Sequence, residues 1–469
     1  MYTNRVKIVA TIGPASSSPE VLESLIKHGM NIARLNFSHG TQGEKEKTIQ
    51  TIRQISTRLD KHIGIIADLQ GPKMRLGAID GTVTIQEREE IVLSLHPKEK
   101  ELPLVTDITN DVQVGEKIFL NDGLVELEIT ALEPGKIRTK ALNDGWVTSH
   151  KGINLPDSIL STGALTEKDK ADALFALSQG VDYLALSFVQ SAEDVHALRK
   201  IIEEQKSQTG IIVKIERKGA VKSLSSIIEA SDGVMVARGD LAIETRASQV
   251  PLIQEKIITI ARQHAKPVIV ATQMLASMAQ NPRPTRAETS DVANAVLGQV
   301  DAVMLSEESA SGKYPIEAVS TMYTIIQSVE TNPEYEKYIQ TNWQLTHKEN
   351  IQYSAIASSA VTLAQKIHAK AIIVASATGS TVAMVSSFRP LPKIIATVYN
   401  DITARKIALM WSVHPIVIGQ MHDLNTLIEK AAGHEQLRRF ISSGDHIVVI
   451  TGATPGTAGG TNTIKVVTI

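Results

Sequence analysis

Several apolar runs in this chain end on charged side chains. Residues 231–244 read SDGVMVARGDLAIE, and the run Val234-Met235-Val236-Ala237 stops on Arg238-Gly239-Asp240. GIIVKIE, from Gly210, ends on Lys214 and Glu216; NIARLNFS, from Asn31, carries Arg34, Asn36 and Ser38; IGIIADL, from Ile63, reaches Asp68. Strand side chains alternate in face, so Lys214 and Glu216 point the same way, as do Arg34, Asn36 and Ser38. Two carboxylates on adjacent strands, Glu216 and Asp240, suit a hard divalent cation bound through oxygen. Magnesium takes one or two carboxylates and leaves its other positions to water and substrate phosphate. Lysine and arginine beside such an ion suit an anionic, phosphorylated substrate. Taken singly, the same residues admit structural roles. Glu216 and Asp240 can pair with Lys214 and Arg238, Thr272 and Ser187 can satisfy strand-end backbone groups, and Arg34, Asn36 and Ser38 can meet solvent.

The elements that must hold these groups decide between the two readings. From Val6 to about Asn332, short β-branched runs alternate with amphipathic helical stretches. To the four runs above are added VKIVATIG from Val6, VDYLALSFV from Val181, KPVIVATQ from Lys266 and DAVMLSEE from Asp301. Each precedes a helix-like segment; in SPEVLESLIKHG, Ser18 can cap and Pro19 sits where a first-turn proline is tolerated. Eight strand–helix units predict a closed (β/α)8 TIM barrel, whose functional groups gather at the C-terminal ends of its strands. Those ends carry Thr11; Arg34, Asn36 and Ser38; Asp68; Ser187; Lys214 and Glu216; Arg238 and Asp240; Thr272 and Gln273; Ser306, Glu307 and Glu308. Convergence of so many polar ends favours one functional mouth.

The alternation breaks after the third strand. Residues 72–155 are rich in short alternating strands and Asp-Gly turns, which predicts an all-β insertion, a small β-barrel placed as a lid over the mouth. DLQGPKMRLG and SHKGINLP would form its hinges, and closure would exclude water. The barrel is thus expected over 1–71 and 156–338, and a C-terminal α/β unit over 339–469. In that unit the loop SATGSTVAMV (376–385) either cradles a phosphate at a helix N-terminus or merely caps the helix with hydroxyls. Neither G-x-x-x-x-G-K-[ST] nor G-x-G-x-x-G occurs, which disfavours P-loop and Rossmann readings.

Composition narrows the class further. The chain has 469 residues, 43% hydrophobic and 21% charged, which fits a soluble protein of two or three domains. A net charge of −2 gives no electrostatic reason to expect nucleic acid or an anionic membrane as partner. With no cysteine, disulfides, thiolate catalysis and Cys-ligated zinc are excluded. No apolar run approaches the ~20 residues that span a bilayer. A cytoplasmic location is expected.

At these residues the sequence closely resembles the pyruvate kinase family, along essentially the whole chain. The specific pieces are ARLNFSHG (33–40), KGINLP (151–156), VKIER (213–217), VMVARGDLAIE (234–244), PVIVATQMLASM (267–278) and NPRPTRAETSDVANAV (281–296). The resemblance implies Mg2+-dependent (or Mn2+-dependent) transfer of a phosphoryl group from phosphoenolpyruvate to ADP, giving pyruvate and ATP. It assigns Glu216 and Asp240 to the divalent ion, and Lys214 to charge on the phosphoryl group and the enolate. Backbone N–H groups around Gly239 and Asp240, with the Thr272 hydroxyl, would hold the substrate carboxylate. Arg34 would contact the phosphoryl group; with Asn36 and His39 it also belongs to the nucleotide-binding set that includes Arg75 and Lys151 under the lid. Thr272 and Ser306 would order the water that protonates the enolate. A homotetramer is implied as well.

Departures from the family pattern carry information. Many members have Thr-Lys-Gly-Pro-Glu after the strand-three aspartate and require K+, whereas this chain reads Asp68-Leu69-Gln70-Gly71-Pro72-Lys73. It resembles the K+-independent branch, with the Lys73 ammonium supplying the missing charge and Asn36, Ser38, Asp68 and Leu69 left as a vestigial monovalent-ion position. Glu307 and Ser309 stand where relatives place a small residue and threonine, and Ala453 and Thr454 replace an aromatic–basic pair used around fructose 1,6-bisphosphate. A sugar monophosphate or nucleoside monophosphate effector is expected instead at Ser376, Thr378, Ser380 and Thr381. A Mg2+-dependent carbon–carbon lyase would share Glu216 and Asp240 but has no use for Arg75, Lys151 or ADP. A regulatory paralogue without turnover would have lost a charged group, and none is missing.

Overall fold

The computed structural model describes residues 4–158, 163–341, 345, 347, 351–419, 423–438, 440–452 and 460–469. Eight parallel strands close a barrel: β1 (Lys7–Ile12), β2 (Met30–Asn36), β3 (Gly64–Asp68), β4 (Tyr183–Leu186), β5 (Gly210–Ile215), β6 (Gly233–Ala237), β7 (Val268–Ala271) and β8 (Ala302–Leu305). Each strand neighbours the next in sequence, and β8 pairs with β1 through Lys7↔Ala302 to Ala10↔Leu305. The strands read as continuous apolar runs because both of their faces are covered. One face packs beneath the surrounding helices, while Val9, Ile32, Ile66, Tyr183, Ile212, Met235, Ile269 and Met304 fill the interior. The helices are punctuated as the sequence requires. Ser18 accepts a hydrogen bond from the Val21 N–H at 3.3 Å with Pro19 in the first turn, and Thr41, Thr166 and Thr285 form capping boxes.

The insertion after β3 is all-β. Its six-stranded sheet runs Ile153–Asn154, Lys117–Leu120, Val125–Glu133, Lys136–Ala141, Glu90–Ser94, Leu102–Pro103, and Val83–Ile85 pairs separately with Gly145–Val147. It has its own apolar core around Leu76, Leu93, Ile118, Leu127 and Val147.

The C-terminal unit is a five-stranded sheet of β9 (Ala371–Ala375), β10 (Lys393–Val398), β11 (Val413–Val417), β12 (His446–Gly452) and β13 (Thr461–Thr468). Its order is β11-β10-β9-β12-β13, parallel except for the last strand. It docks on the N-terminal ends of the barrel strands. Ala408 and Leu409 join the barrel's interior cluster, Lys7 Nζ donates to Val413 O at 2.8 Å, and buried Asp301 ion-pairs with Arg389 at 2.6 Å. A cavity of about 110 Å³ at this junction is lined in part by Lys7, Asn31, Lys61, His62 and His414.

Candidate active site

Asp68 is the hub of the mouth. It closes β3 and is buried, and it takes Arg34 Nε at 2.6 Å from β2 and Lys214 Nζ at 3.4 Å from β5. Lys214 also lies 2.9 Å from Glu216 Oε1 and donates to Ser187 Oγ at 2.8 Å. Arg34 reaches Thr11 Oγ1 at 2.9 Å, and that hydroxyl donates to Leu305 O. Six strand ends are thereby tied together.

The electrostatics follow from this crowding. Burial works against ionisation of Asp68, but Lys214 and Arg34 outweigh it and hold the carboxyl below its usual range. Burial would likewise discharge Lys214, yet Asp68 and Glu216 reverse the effect and raise its pKa. Glu216 is raised by burial and further by the neighbouring Asp240 charge, against the pull of Lys214 and the Phe188 N–H, which donates to Oε2 at 2.8 Å. A cation between Glu216 and Asp240 would relieve that repulsion. Among the described residues no cluster of three or more His, Asp or Glu is placed to hold a metal. A pair of carboxylates is nonetheless a donor set that suits Mg2+ with waters and substrate oxygens completing the shell.

The structure revises one local expectation. The sequence places Asp240 at a strand end, but β6 stops at Ala237 and a helix, Arg238–Glu244, begins at once, so Asp240 stands in the helix's first turn. Arg238 does not pair with Asp240. It bonds Thr272 O at 2.7 Å, Ala271 O at 3.3 Å and Asp291 Oδ1 at 2.8 Å, which pins the chain as it leaves the sheet. The Gly239 N–H donates to Thr272 Oγ1 at 2.8 Å. Thr272 and Gln273 both hold left-handed backbone (φ 68° and 54°), a costly conformation for a β-branched residue.

The remaining expected residues fall as follows. Lys73 Nζ lies 3.9 Å from Asp240 Oδ1. Asn36 Oδ1 accepts from Ser38 N at 3.0 Å, and Leu69 O accepts from Ser187 Oγ at 2.7 Å. His39 is exposed beyond β2. On the insertion, Arg75 bridges to Gly152 and donates to His150 O at 2.9 Å, while Lys151 Nζ stands 5.5 Å from the Trp146 ring centre. A cleft of about 520 Å³ separates Phe119, Asp122 and Gly123 of the insertion from Gly239, Asp240, Ile243 and Gln273 of the barrel. Glu307 is exposed; it is Glu308 that is buried, accepting from Ser306 N at 2.7 Å and Leu275 N at 3.1 Å. Ser309 donates to Thr11 O at 2.9 Å.

The C-terminal loop lies apart from this mouth. Ser376 Oγ accepts from Gly379 N at 3.0 Å, Thr378 and Ser380 hydroxyls lie 3.1 Å apart, and Thr381 meets Thr461 at 2.8 Å. Ala453 and Thr454 fall outside the described residues.

Sequence reading missed Asp291 as the Arg238 partner and Glu308 as the Ser306 cap. It also missed Asp68 as counter-ion to two cations. Asp68 and Asp291 lie 34 and 53 residues from their arginines, so no local pattern marks those pairs, whereas Glu308 caps Ser306 from only 2 residues away.

A closed parallel barrel with cations and carboxylates at its C-terminal mouth, an all-β insertion above it and a second α/β unit below defines a class of (β/α)8-barrel enzyme. Family models describe its parts as the pyruvate kinase barrel domain over residues 3–319 and the pyruvate kinase alpha/beta domain over 354–467. A pyruvate kinase from Staphylococcus aureus (strain USA300) is 41% identical over 98% of this chain and 80% of its own length, and one from the bovine strain RF122 / ET3-1 is 40% identical over the same shares. The crystal structure of a pyruvate kinase from Cryptosporidium parvum superposes with a TM-score of 0.93 at 33% identity, covering 99% of this chain and 96% of that one. The chain belongs to the pyruvate kinase family. Among the described residues no helix is long and apolar enough to cross a membrane.

Proposed function

We propose that the mouth transfers the phosphoryl group of phosphoenolpyruvate to ADP with Mg2+ and without K+. The observation that supports this most directly is the Lys214 ammonium set between Asp68 and Glu216, with Arg34 beside it. The bond from phosphorus to the enol oxygen breaks, and a new one forms to a β-phosphate oxygen of ADP. Arg34 and Lys214 face the phosphoryl oxygens throughout, and Lys214 then faces the enolate left behind. The Thr272 hydroxyl and the backbone N–H groups near Gly239 and Asp240 orient the substrate carboxylate. Mg2+, held by Glu216 and Asp240, would supply charge compensation at the carboxylate and enolate oxygens. A water ordered by Thr272 and Ser306 delivers the proton to the methylene carbon. Residues 72–155 act as the lid, with Arg75 and Lys151 on the nucleotide side alongside Asn36 and His39. Lys73, 3.9 Å from Asp240, brings a fixed positive charge that makes a monovalent ion redundant, because two cations in one small pocket repel. An effector of sugar or nucleoside monophosphate type at Ser376–Thr381 and a homotetrameric assembly complete the reading.

A coupled assay with Mg2+, ADP and phosphoenolpyruvate, run with Na+ or K+ as sole monovalent cation, tests it. Equal rates in both salts are expected, and Lys73→Glu should make the rate depend on K+. A wild type inert until K+ is added would refute the Lys73 role; no pyruvate in either salt would refute the reaction.

A further inference from the structure

Glu244 ends the helix whose first turn carries Gly239 and Asp240, and Asn154 ends the insertion's strand Ile153–Asn154. Their side chains meet across the hinge: Asn154 Nδ2 donates to Glu244 Oε1 at 3.1 Å, with the residues 6% and 5% exposed. Asn154 is paired in the sheet with Phe119, which lines the cleft opposite Asp240. On the barrel side, the charge of Glu244 acts on the buried Arg217 guanidinium, which lies 5.3 Å from the Phe188 ring centre. Phe188 in turn donates its N–H to Glu216. The Asn154–Glu244 hydrogen bond thus ties the insertion's exit strand to the helix that carries Asp240.

We propose that Asn154 and Glu244 form a hinge latch, a positioning pair that sets where the lid stands over the barrel; the inference rests on the reading of residues 72–155 as a lid. A hydrogen bond to a carboxylate is directional, and burial shields it from competing water. It lies at the lid's pivot, so a small error there is magnified at Arg75 and Lys151, and misplacement of reacting groups by about 1 Å can cost ~10²-fold in rate. In the proposed function the groups that hold phosphoenolpyruvate, Arg34, Lys214, Gly239, Asp240 and Thr272, all belong to the barrel. Loss of the latch therefore falls on the nucleotide.

The test uses the full chain and reads steady-state constants together with hydrogen exchange of the lid strand Lys117–Leu120, with and without Mg2+, phosphoenolpyruvate and ADP. Asn154→Ala is expected to raise the KM for ADP about tenfold while that for phosphoenolpyruvate stays within about twofold, and to abolish the ligand-induced protection of the lid. The reversed pair Asn154→Asp/Glu244→Gln exchanges donor and acceptor and should return the ADP KM to within about threefold of wild type. Unchanged ADP KM and protection in Asn154→Ala would overturn the latch and leave the lid reading intact. A wild type whose lid gains no protection from ligands would remove the lid reading itself, and the latch with it. If Asn154→Ala does not fold, the reversed pair decides: recovery supports the latch, and an equal loss for both substrates overturns it.

Discussion

Lys214 makes three polar contacts, to Asp68, Glu216 and Ser187, so its ammonium is fixed in position and held charged. An amine so placed stabilises charge that develops in the transition state, with little reorganisation when it appears. Lys214→Gln keeps much of the volume and removes the charge. It is expected to lower kcat by about 10²–10³-fold with a much smaller change in the KM for phosphoenolpyruvate, measured by steady-state kinetics. This residue was legible in the sequence, because the two-residue spacing of Lys214 and Glu216 fixes a shared face. Its second counter-ion was not. Asp68 meets Lys214 across the intervening strand β4, far along the chain, and only the folded register of β3, β4 and β5 brings them together.

Among the elements, the turn after β3 makes a strong backbone demand next to the mouth. Gly71 has φ of 69°, and a side chain there would place its Cβ 2.7 Å from the Phe188 ring and 2.9 Å from the Ser187 Cβ. Phe188 is itself left-handed (φ 57°) and its N–H supports Glu216, so displacing it disturbs the mouth. Gly71→Ala should therefore lower the unfolding free energy by about 1–3 kcal/mol and depress kcat together, checked by urea denaturation and kinetics on the same preparation. At this scale the eight strands were readable from their apolar runs, and Ser18 and Pro19 from the chemistry of helix starts. The helical turn that follows β6 was not readable. Hydropathy continues through Ala237 without marking that Arg238 would bond the carbonyls of β7 and turn the chain into a helix.

Over the whole molecule, the alternation of patterns announced a barrel, an insertion and an α/β unit, since each builds its own apolar core. How the barrel and the C-terminal unit dock was hidden, because their junction joins the apolar Ala408 and Leu409 to single polar residues far apart in sequence. Lys7 is one of them. Burial pulls its ammonium down to about 8 from an ordinary 10.5, against the attraction of Glu330 and Asp301. The folded state therefore binds this proton more weakly than the unfolded chain, and the penalty, complete below pH 8, is relieved as pH rises toward 10.5. Comparing wild type with Lys7→Met by chemical denaturation at several pH values, the stability of wild type relative to the variant should climb across that window, by up to about 1.4 kcal/mol per pH unit. A flat difference would show that the ammonium is not desolvated as its surroundings require.

Ala408 and Leu409 enter the bottom of the barrel alongside Val9, Ile212 and Met235, and the Tyr183 hydroxyl donates to Lys406 O at 3.0 Å just outside them. They act as a stopper supplied by another part of the chain. A gene shortened before residue 371 would yield a cylinder whose underside is greasy and open to water, a surface prone to self-association. Catalytic half and tail must therefore be inherited, expressed and engineered as one piece.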